Sequence, residues 1–336
     1  MNDALHSRWG LVPLQERLQR TEPGVRVEVV ASSPSTNSAL LERAASSRAQ
    51  SGAGADLAPF TPCLLVAEHQ TQGRGRMGRA WHAQPGASLT FSLALQLAPQ
   101  DWSGLSLAVG VALAEALDRG PASATHGRDH APRIGLKWPN DLWLRDEAAP
   151  GGGRKLGGVL IETATWSPPN DLAPHAASGP AENARVCVIG VGLNVQPQAV
   201  EAASSGVACL QELHPGAQAL QVLGWVAPAL VAGVRRFECE GFAGVLEAFA
   251  RRDLLHGQAV STTLSSLPEG TAQGVDARGA LQVRAADGRL HAVSSGEVSI
   301  RPLPERRQAG PSRLAPAREA RPGMERNLVV GAGGDP

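Results

Sequence analysis

The sequence predicts an α+β protein, with strands and helices interleaved over residues 25–252 and a small antiparallel barrel over residues 253–303. Three observations carry that reading. Some segments alternate apolar and polar residues singly, while others repeat apolar residues every three to four positions, so strand and helix periods are both present. Near Asp253 the texture changes to short alternating runs divided by turn signals such as Asp287-Gly288. A chain of 336 residues, 43% hydrophobic and 18% charged, is globular in composition and long enough for two domains.

The elements follow in order. Residues 1–24 form an N-terminal extension with no element assigned. "VRVEVV" (25–30) alternates as a strand. "SPSTNSALLERAA" is a polar turn opening a helix, with Ser35 or Thr36 as N-cap and Leu40, Leu41 and Ala44 facing inward. "CLLVAEHQ" is a buried strand turning polar at its end, "SLTFSLALQL" a second, and "LSLAVGVALAEALDR" a nearly all-apolar helix. "RIGLKWPNDLWL" and "KLGGVLIETA" read as a strand–turn–strand unit, and "ARVCVIGVGLNV" as a strand ending in a Gly-rich turn. Residues 218–252 read as helical, with a polar break near "CEGF". Segments near 119–133 and 166–184 are Pro-, Ala- and Gly-rich without periodicity and read as loop insertions, His126 and His130 being solvent-facing. Residues 304–336 read as a disordered tail.

Composition excludes several classes. The net charge is zero, so nothing global favours nucleic acid or an anionic membrane. The four cysteines (Cys63, Cys187, Cys209, Cys239) contain no CxxC pair, which fits free thiols in a reducing cytoplasm better than a disulfide frame or a zinc site. No stretch approaches the roughly 18 apolar residues of a membrane span, and no signal peptide is evident.

Positive charge is distributed unevenly by type. Of 31 lysine-plus-arginine residues only Lys137 and Lys155 are lysines. Each lies in a segment marked by Gly, Pro or Trp: "GLKWPND" and "GRKLGG". A surface cation tolerates arginine, whereas a cation fitted beside one particular anion does not exchange freely. "GRGRMG" (73–78) spells GxGxxG, but a dinucleotide fingerprint needs a following helix, and "RAWHAQPGASLTF" is broken by Pro85 and Gly86 before a strand. Nor is it a phosphate-binding GK[ST] loop. What remains is a flexible loop carrying Arg74, Arg76 and Arg79, suited to fold over an anion as a lid. "KWPND" brings Lys137, Asn140 and Asp141 to one turn. "RKLGGVLIE" puts Lys155 at a strand entrance beside Gly157 and Gly158, and "GVGLN" ends in Asn194, an amide able to read a ring's donors and acceptors. Two lysines, three arginines, two amides and a carboxylate at the ends of one sheet make a site for activating a carboxylate with a nucleotide.

In this order "STN", "EHQTQGRGRMGRAW", "KWPNDLWL", "RKLGGVLIE" and "GVGLNV" resemble the motif series of biotin–protein ligases (biotin–[acetyl-CoA-carboxylase] ligase, holocarboxylase synthetase), over roughly residues 25–302. The resemblance implies a class II aminoacyl-tRNA-synthetase-like catalytic domain, a mixed sheet with helices, followed by an SH3-like barrel. It implies biotin and ATP as substrates, Mg²⁺, biotinyl-5′-AMP as intermediate, and transfer of biotin to one lysine of a carrier domain. The carrier would be the biotin carboxyl carrier protein of acetyl-CoA carboxylase and those of other biotin-dependent enzymes. By matching position, Ser35, Thr36 and Asn37 would hold the biotin head group. Gln70, Gly73, Arg74, Gly75 and Arg76 would close over the valeryl chain and phosphate, beside Gly158. Lys155 would meet the carboxylate and then the acyl-phosphate. Arg79, Trp81, Asn140 and Asn194 would face ATP and the adenylate. Lys155, Arg76, Asp141 and Lys137 form the expected catalytic set. Met77 departs from the pattern, standing where a basic residue is common. Some such ligases carry an N-terminal winged-helix domain; only 34 residues precede Ser35, too few for one, so the expectation is an enzyme without specific DNA binding. The resemblance implies a monomer or homodimer, and the free cysteines a cytoplasmic location. The alternatives are a lipoate–protein ligase of the same fold, whose usual lid residues 73–78 do not spell, and a non-catalytic nucleotide-binding module, which would not need the paired lysines.

Overall fold

The computed structural model describes residues 9–49, 60–119, 131–149, 151–165, 184–198, 207–294 and 300–302. The segments read as insertions lie mostly, and the tail from Pro304 wholly, outside the described residues, as do His126 and His130.

Seven strands form one mixed sheet in the order β1-β2-β3-β7-β6-β5-β4. They are β1 (Arg26–Ser33), β2 (Cys63–Gln70), β3 (Ser88–Leu97), β4 (Ile134–Lys137), β5 (Asp141–Arg145), β6 (Gly153–Thr165) and β7 (Arg185–Asn194). β1 runs parallel to β2; the other neighbours are antiparallel.

Alternation decides what each face meets. Leu89, Phe91, Leu93 and Leu95 of β3 and Cys187, Ile189, Val191 and Leu193 of β7 point into the larger core. There they pack with helices α3 (Leu105–Arg119) and α4 (Ala219–Glu240). The opposite face is covered by α2 (Thr36–Ala49), whose Leu40 and Ala44 rest on Cys63, Leu65, Ala94, Val186 and Val188. Where α2 begins, the same face of the sheet changes character: Ala94 gives way to Ser92, and Val188 to Gly190 and Gly192. Large side chains stop and a cavity starts.

Two readings from the sequence need correction. The extension before Val25 holds a helix, α1 (Val12–Gln19), with Leu11, Leu14 and Leu18 buried in the main core. The glycines of "GVGLN" form no turn; Gly190 and Gly192 sit inside β7, paired to β3 and β6. Among the described residues no helix is long and apolar enough to cross a membrane.

After α4, Gly241 breaks the helix and a short α5 (Leu246–Ala250) follows. The chain then pairs briefly with edge strand β4: Leu136 N–H donates to Arg252 O at 2.7 Å and Leu254 N–H to Leu136 O at 3.0 Å. It next forms a five-stranded antiparallel sheet in the order β11-β10-β9-β8-β12, from β8 (Ala259–Thr262), β9 (Glu269–Val275), β10 (Leu281–Arg284), β11 (Leu290–Val293) and β12 (Ile300–Pro302). Its apolar residues Val260, Ala272, Leu281, Val283 and Ile300 join the main core. Trp138 adds a polar tie, its buried indole Nε1 donating to Gly279 O at 3.0 Å.

Candidate functional site

The cavity at the start of α2 has a volume of about 180 Å³. Its inner wall is uncharged and saturated with hydrogen bonds. Ser35, Thr36 and Asn37 are buried, and Ser35 caps α2 by accepting Ser38 N–H at 3.4 Å. Gln70 Oε1, at the polar end of β2, accepts Thr36 N–H at 2.8 Å and lies 3.1 Å from Thr36 Oγ1. Thr36 Oγ1 is 2.6 Å from Ser92 Oγ, which donates to Asn37 Oδ1 at 2.6 Å. Asn37 Nδ2 donates to Leu160 O at 3.2 Å and to Glu162 Oε2 at 2.9 Å, which fixes the orientation of the amide. The two hydroxyls own one hydrogen each and stand in three short contacts. Ser92 gives its hydrogen to Asn37, so the single Thr36 hydroxyl hydrogen is shared between Gln70 Oε1 and Ser92 Oγ.

β7 makes room for this wall. A Cβ at Gly190 would stand 2.3 Å from Asn37 Oδ1, and one at Gly192 would stand 2.4 Å from the Trp81 ring. The glycines let the α2 start and the Trp81 indole lie against the backbone of the strand. Trp81 Nε1 is buried with no hydrogen-bond partner in the structure.

The outer half is charged. The segment read as a lid forms a small hairpin: Arg74 bridges Ala80, Gly75 N–H donates to Arg79 O at 2.7 Å, and Trp81 N–H to Gly73 O at 2.9 Å. Met77 at its apex has φ +55° and is 52% exposed. Arg74, Arg76 and Arg79 lie on the cavity from this hairpin, and Lys137, Asn140 and Asp141 from the β4–β5 turn, which carries a cis Trp138–Pro139 peptide. Lys155 enters from β6 and Ile300 from β12. Five cations therefore line the cavity against one carboxylate, Asp141, in a chain of zero net charge.

Asp141 Oδ1 holds Lys155 Nζ at 2.8 Å, and Lys155 also sits 5.9 Å from the Trp81 ring centre. Lys137 Nζ lies 4.6 Å over the Trp143 ring. Burial pushes the Lys137 amine below its ordinary value; Asp141 opposes this, while Lys155, Arg301 and Arg79 add to it. Burial likewise works against the Arg76 guanidinium, with Asp141 supporting it and Arg79 opposing. Arg76 NH1 donates to Asn140 Oδ1 at 3.4 Å, and Asn140 Nδ2 to Val159 O at 2.8 Å.

Of the residues singled out by sequence, Ser35, Thr36, Asn37, Gln70, Arg74, Gly75, Arg76, Arg79, Trp81, Lys137, Asn140, Asp141, Lys155 and Gly158 line this one cavity. Gly73 closes the base of the hairpin instead. Asn194 is buried beside the cavity: its Nδ2 donates to Ala208 O at 3.2 Å and Lys155 O at 3.4 Å, and its Oδ1 accepts from Gln198 at 3.3 Å. That amide braces the Lys155 strand. Sequence reasoning missed Ser92, Glu162, Gly190 and Gly192. Their parity on β3, β6 and β7 was readable, but the partners that give them meaning were not.

The chain's residues 58–170 match the biotin/lipoate A/B protein ligase family, and residues 255–301 the biotin protein ligase C terminal domain. It is 31% identical over 241 residues to the bifunctional ligase/repressor BirA of Escherichia coli, a match covering 70% of this chain and 65% of that protein. With the biotin–[acetyl-CoA-carboxylase] ligase of Paracoccus denitrificans the identity is 30% over 244 residues, covering 70% of this chain and 88% of that protein. The fold is similar to that of the biotin protein ligase from Aquifex aeolicus in complex with biotin and ATP, with a TM-score of 0.59 and 22% identity over 83% of this chain and 99% of the other. The match thus spans less than two thirds of the Escherichia coli relative's length.

Proposed function

The chain belongs to the biotin–protein ligase family, and from that premise we propose that it activates biotin with ATP to biotinyl-5′-AMP and transfers biotin to a lysine of a biotin carrier domain such as that of acetyl-CoA carboxylase. The observation that carries the reading is the two-part cavity: a neutral, hydrogen-bonded inner wall joined to a rim of five cations and one carboxylate.

The inner wall takes the head group. Ser35, Thr36, Asn37 and Gln70 present donors and acceptors already held in place, so little ordering is left for binding to require. The rim takes the anions. In the first step a biotin carboxylate oxygen attacks the α-phosphorus, a C–O–P bridge forms, and pyrophosphate leaves with the bonding pair. Two anions must meet, and Lys155, Arg74 and Arg76 neutralise both and follow the charge toward the leaving group. Lys155 Nζ is held by Asp141 at 2.8 Å, so the ammonium is aimed before substrate arrives. Arg79, Asn140 and the orphan Trp81 Nε1 serve the nucleotide side. In the second step a neutral lysine amine of the carrier attacks the acyl carbon and AMP leaves; Asp141 guides that amine or takes its proton. Lys137, pushed below its ordinary value by burial, serves as a further cation for the phosphates.

Mg²⁺ belongs to the proposal as a companion of ATP. Among the described residues no group of three or more His, Cys, Asp or Glu could hold a metal, so in this reading the ion would ride on the phosphate oxygens of ATP. A cytoplasmic location is proposed on the same footing, supported by four free thiols.

The test is to incubate the protein with biotin, Mg-ATP and a biotin carrier domain and weigh the carrier, with lipoate in parallel. The expected result is the mass of one biotinyl group on one lysine and none with lipoate. A lipoyl adduct instead would reassign the substrate, and an unmodified carrier with no pyrophosphate released would refute the reading.

A further inference from the structure

Glu162 stands outside the set of residues that line the cavity, yet it holds two parts of it. It lies on β6, on the face that carries Gly158 and Leu160, and its side chain is 26% exposed. Arg74 NH2 donates to Glu162 Oε1 at 3.0 Å and to Oε2 at 2.9 Å. Oε2 also accepts Asn37 Nδ2 at 2.9 Å. Asn37 continues through Ser92 and Thr36 to Gln70. One carboxylate thus joins the hairpin's first arginine to the hydrogen-bonded wall at the start of α2.

The donor count explains what this contact leaves available. Arginine has five N–H groups in a fixed fork. Both contacts with Glu162 are made through NH2, so this pair uses neither Nε nor NH1. The carboxylate orients the guanidinium without consuming it. Asn37 cannot tilt to follow a ligand without moving an oxygen that Arg74 shares.

We propose that Glu162 is a positioning residue that pins the 73–81 hairpin through Arg74 and couples its closure to the head-group wall through Asn37, so that biotinyl-AMP is retained until transfer. The retention half of this rests on the ligase reading above; the pinning half does not. Glu162→Gln is nearly isosteric, removes the charge and replaces one acceptor by a donor that Asn37 and Arg74 cannot use.

Two measurements test it on the full chain. In the ligand-free protein, trypsin cleavage within residues 74–79 is expected to quicken about three- to tenfold in Glu162→Gln, the range set by loss of a partly exposed, charge-assisted pair. Release of biotinyl-AMP is expected to quicken by a similar factor, and the change is expected to vanish when Glu162→Gln is made in an Arg74→Ala background. Arg74→Lys, which leaves β6 untouched, is expected to reproduce the faster release and guards against a folding defect in Glu162→Gln. Wild-type cleavage and release in Glu162→Gln would overturn the proposal. So would effects that multiply in the double variant, because Glu162 would then act other than through Arg74. If the wild type forms no biotinyl-AMP, the ligase reading fails, and the trypsin comparison still decides whether Glu162 pins the hairpin.

Discussion

The two halves of the cavity are built from opposite materials. The inner wall, from Ser35 to Asn37 with Ser92 and Gln70, is uncharged, and Ser35, Thr36, Asn37 and Ser92 are all buried. Its polar groups are largely spent on one another, so its shape is fixed before a ligand arrives. The outer rim gathers Arg74, Arg76, Arg79, Lys137 and Lys155 around Asp141 from three separate segments. Lys155 is paired with Asp141 and Arg74 with Glu162, and the five cations together repel one another less once phosphates enter. The inner half therefore selects by shape and hydrogen bonds, and the outer half acts by charge. Variants in the two halves should fail in different ways.

The largest effect is expected at Lys155. Lys155→Ala removes a cation from the reacting carboxylate and phosphate, a loss of about 2–4 kcal/mol or roughly 30- to 1000-fold in adenylate formation. Lys155→Arg should rescue poorly if a compact ammonium is needed. Pyrophosphate release at the wild-type rate from the Ala variant would remove Lys155 from the mechanism.

Next comes Gly190. Its alanine Cβ would press on Asn37 Oδ1, placed 2.3 Å away, and disturb the contacts of that amide with Ser92, Leu160 and Glu162. Overpacking of this kind typically costs about 1–3 kcal/mol, so biotin affinity in Gly190→Ala should fall about five- to 150-fold while the KM for ATP changes less. Equal loss for both substrates would blur the division between the halves.

The smallest effect concerns stability. Lys137 has a folded-state value below its ordinary 10.5 because burial penalises its charge. Between the folded and unfolded values the unfolded chain binds the extra proton, so stability rises with pH there, and below both values the cost is present in full. Lys137→Met should then melt at the wild-type temperature or a few degrees above it at pH 7, and should lose part of the alkaline gain. A clearly lower Tm would mean that the Trp143 contact at 4.6 Å outweighs the burial cost.

These tests also mark what the sequence made legible. Charged and turn-forming residues announced themselves: two lysines among many arginines, Pro139 in its turn, and the Gly-rich hairpin all proved to face one cavity. The strands of the main sheet were readable from alternation. The helix at Val12–Gln19 was not, because two turns with Leu14 and Leu18 inward give too short a pattern to stand out beside a polar sequence. Gly190 and Gly192 misled for a physical reason. Glycine usually marks a turn, but here it clears space for Asn37 and Trp81, residues more than 100 positions away. Glu162 was invisible for the same reason, since its role comes from Asn37 and Arg74, 125 and 88 residues distant. Asn194 shows the converse, a polar residue that looked available and is turned to the backbone of the Lys155 strand.

The division between the halves is tested most directly by titrating the protein, without ATP, with biotin and with its uncharged carboxamide. The wild type, Lys155→Ala and Thr36→Val are compared by calorimetry. The account predicts that Lys155→Ala binds the amide within about threefold of wild type while losing about tenfold or more for biotin, the difference being one charged contact. Thr36→Val, which removes a hydroxyl from the inner wall, should weaken both ligands alike. Lys155→Ala losing as much affinity for the amide as for biotin, or Thr36→Val losing none for either, would contradict it.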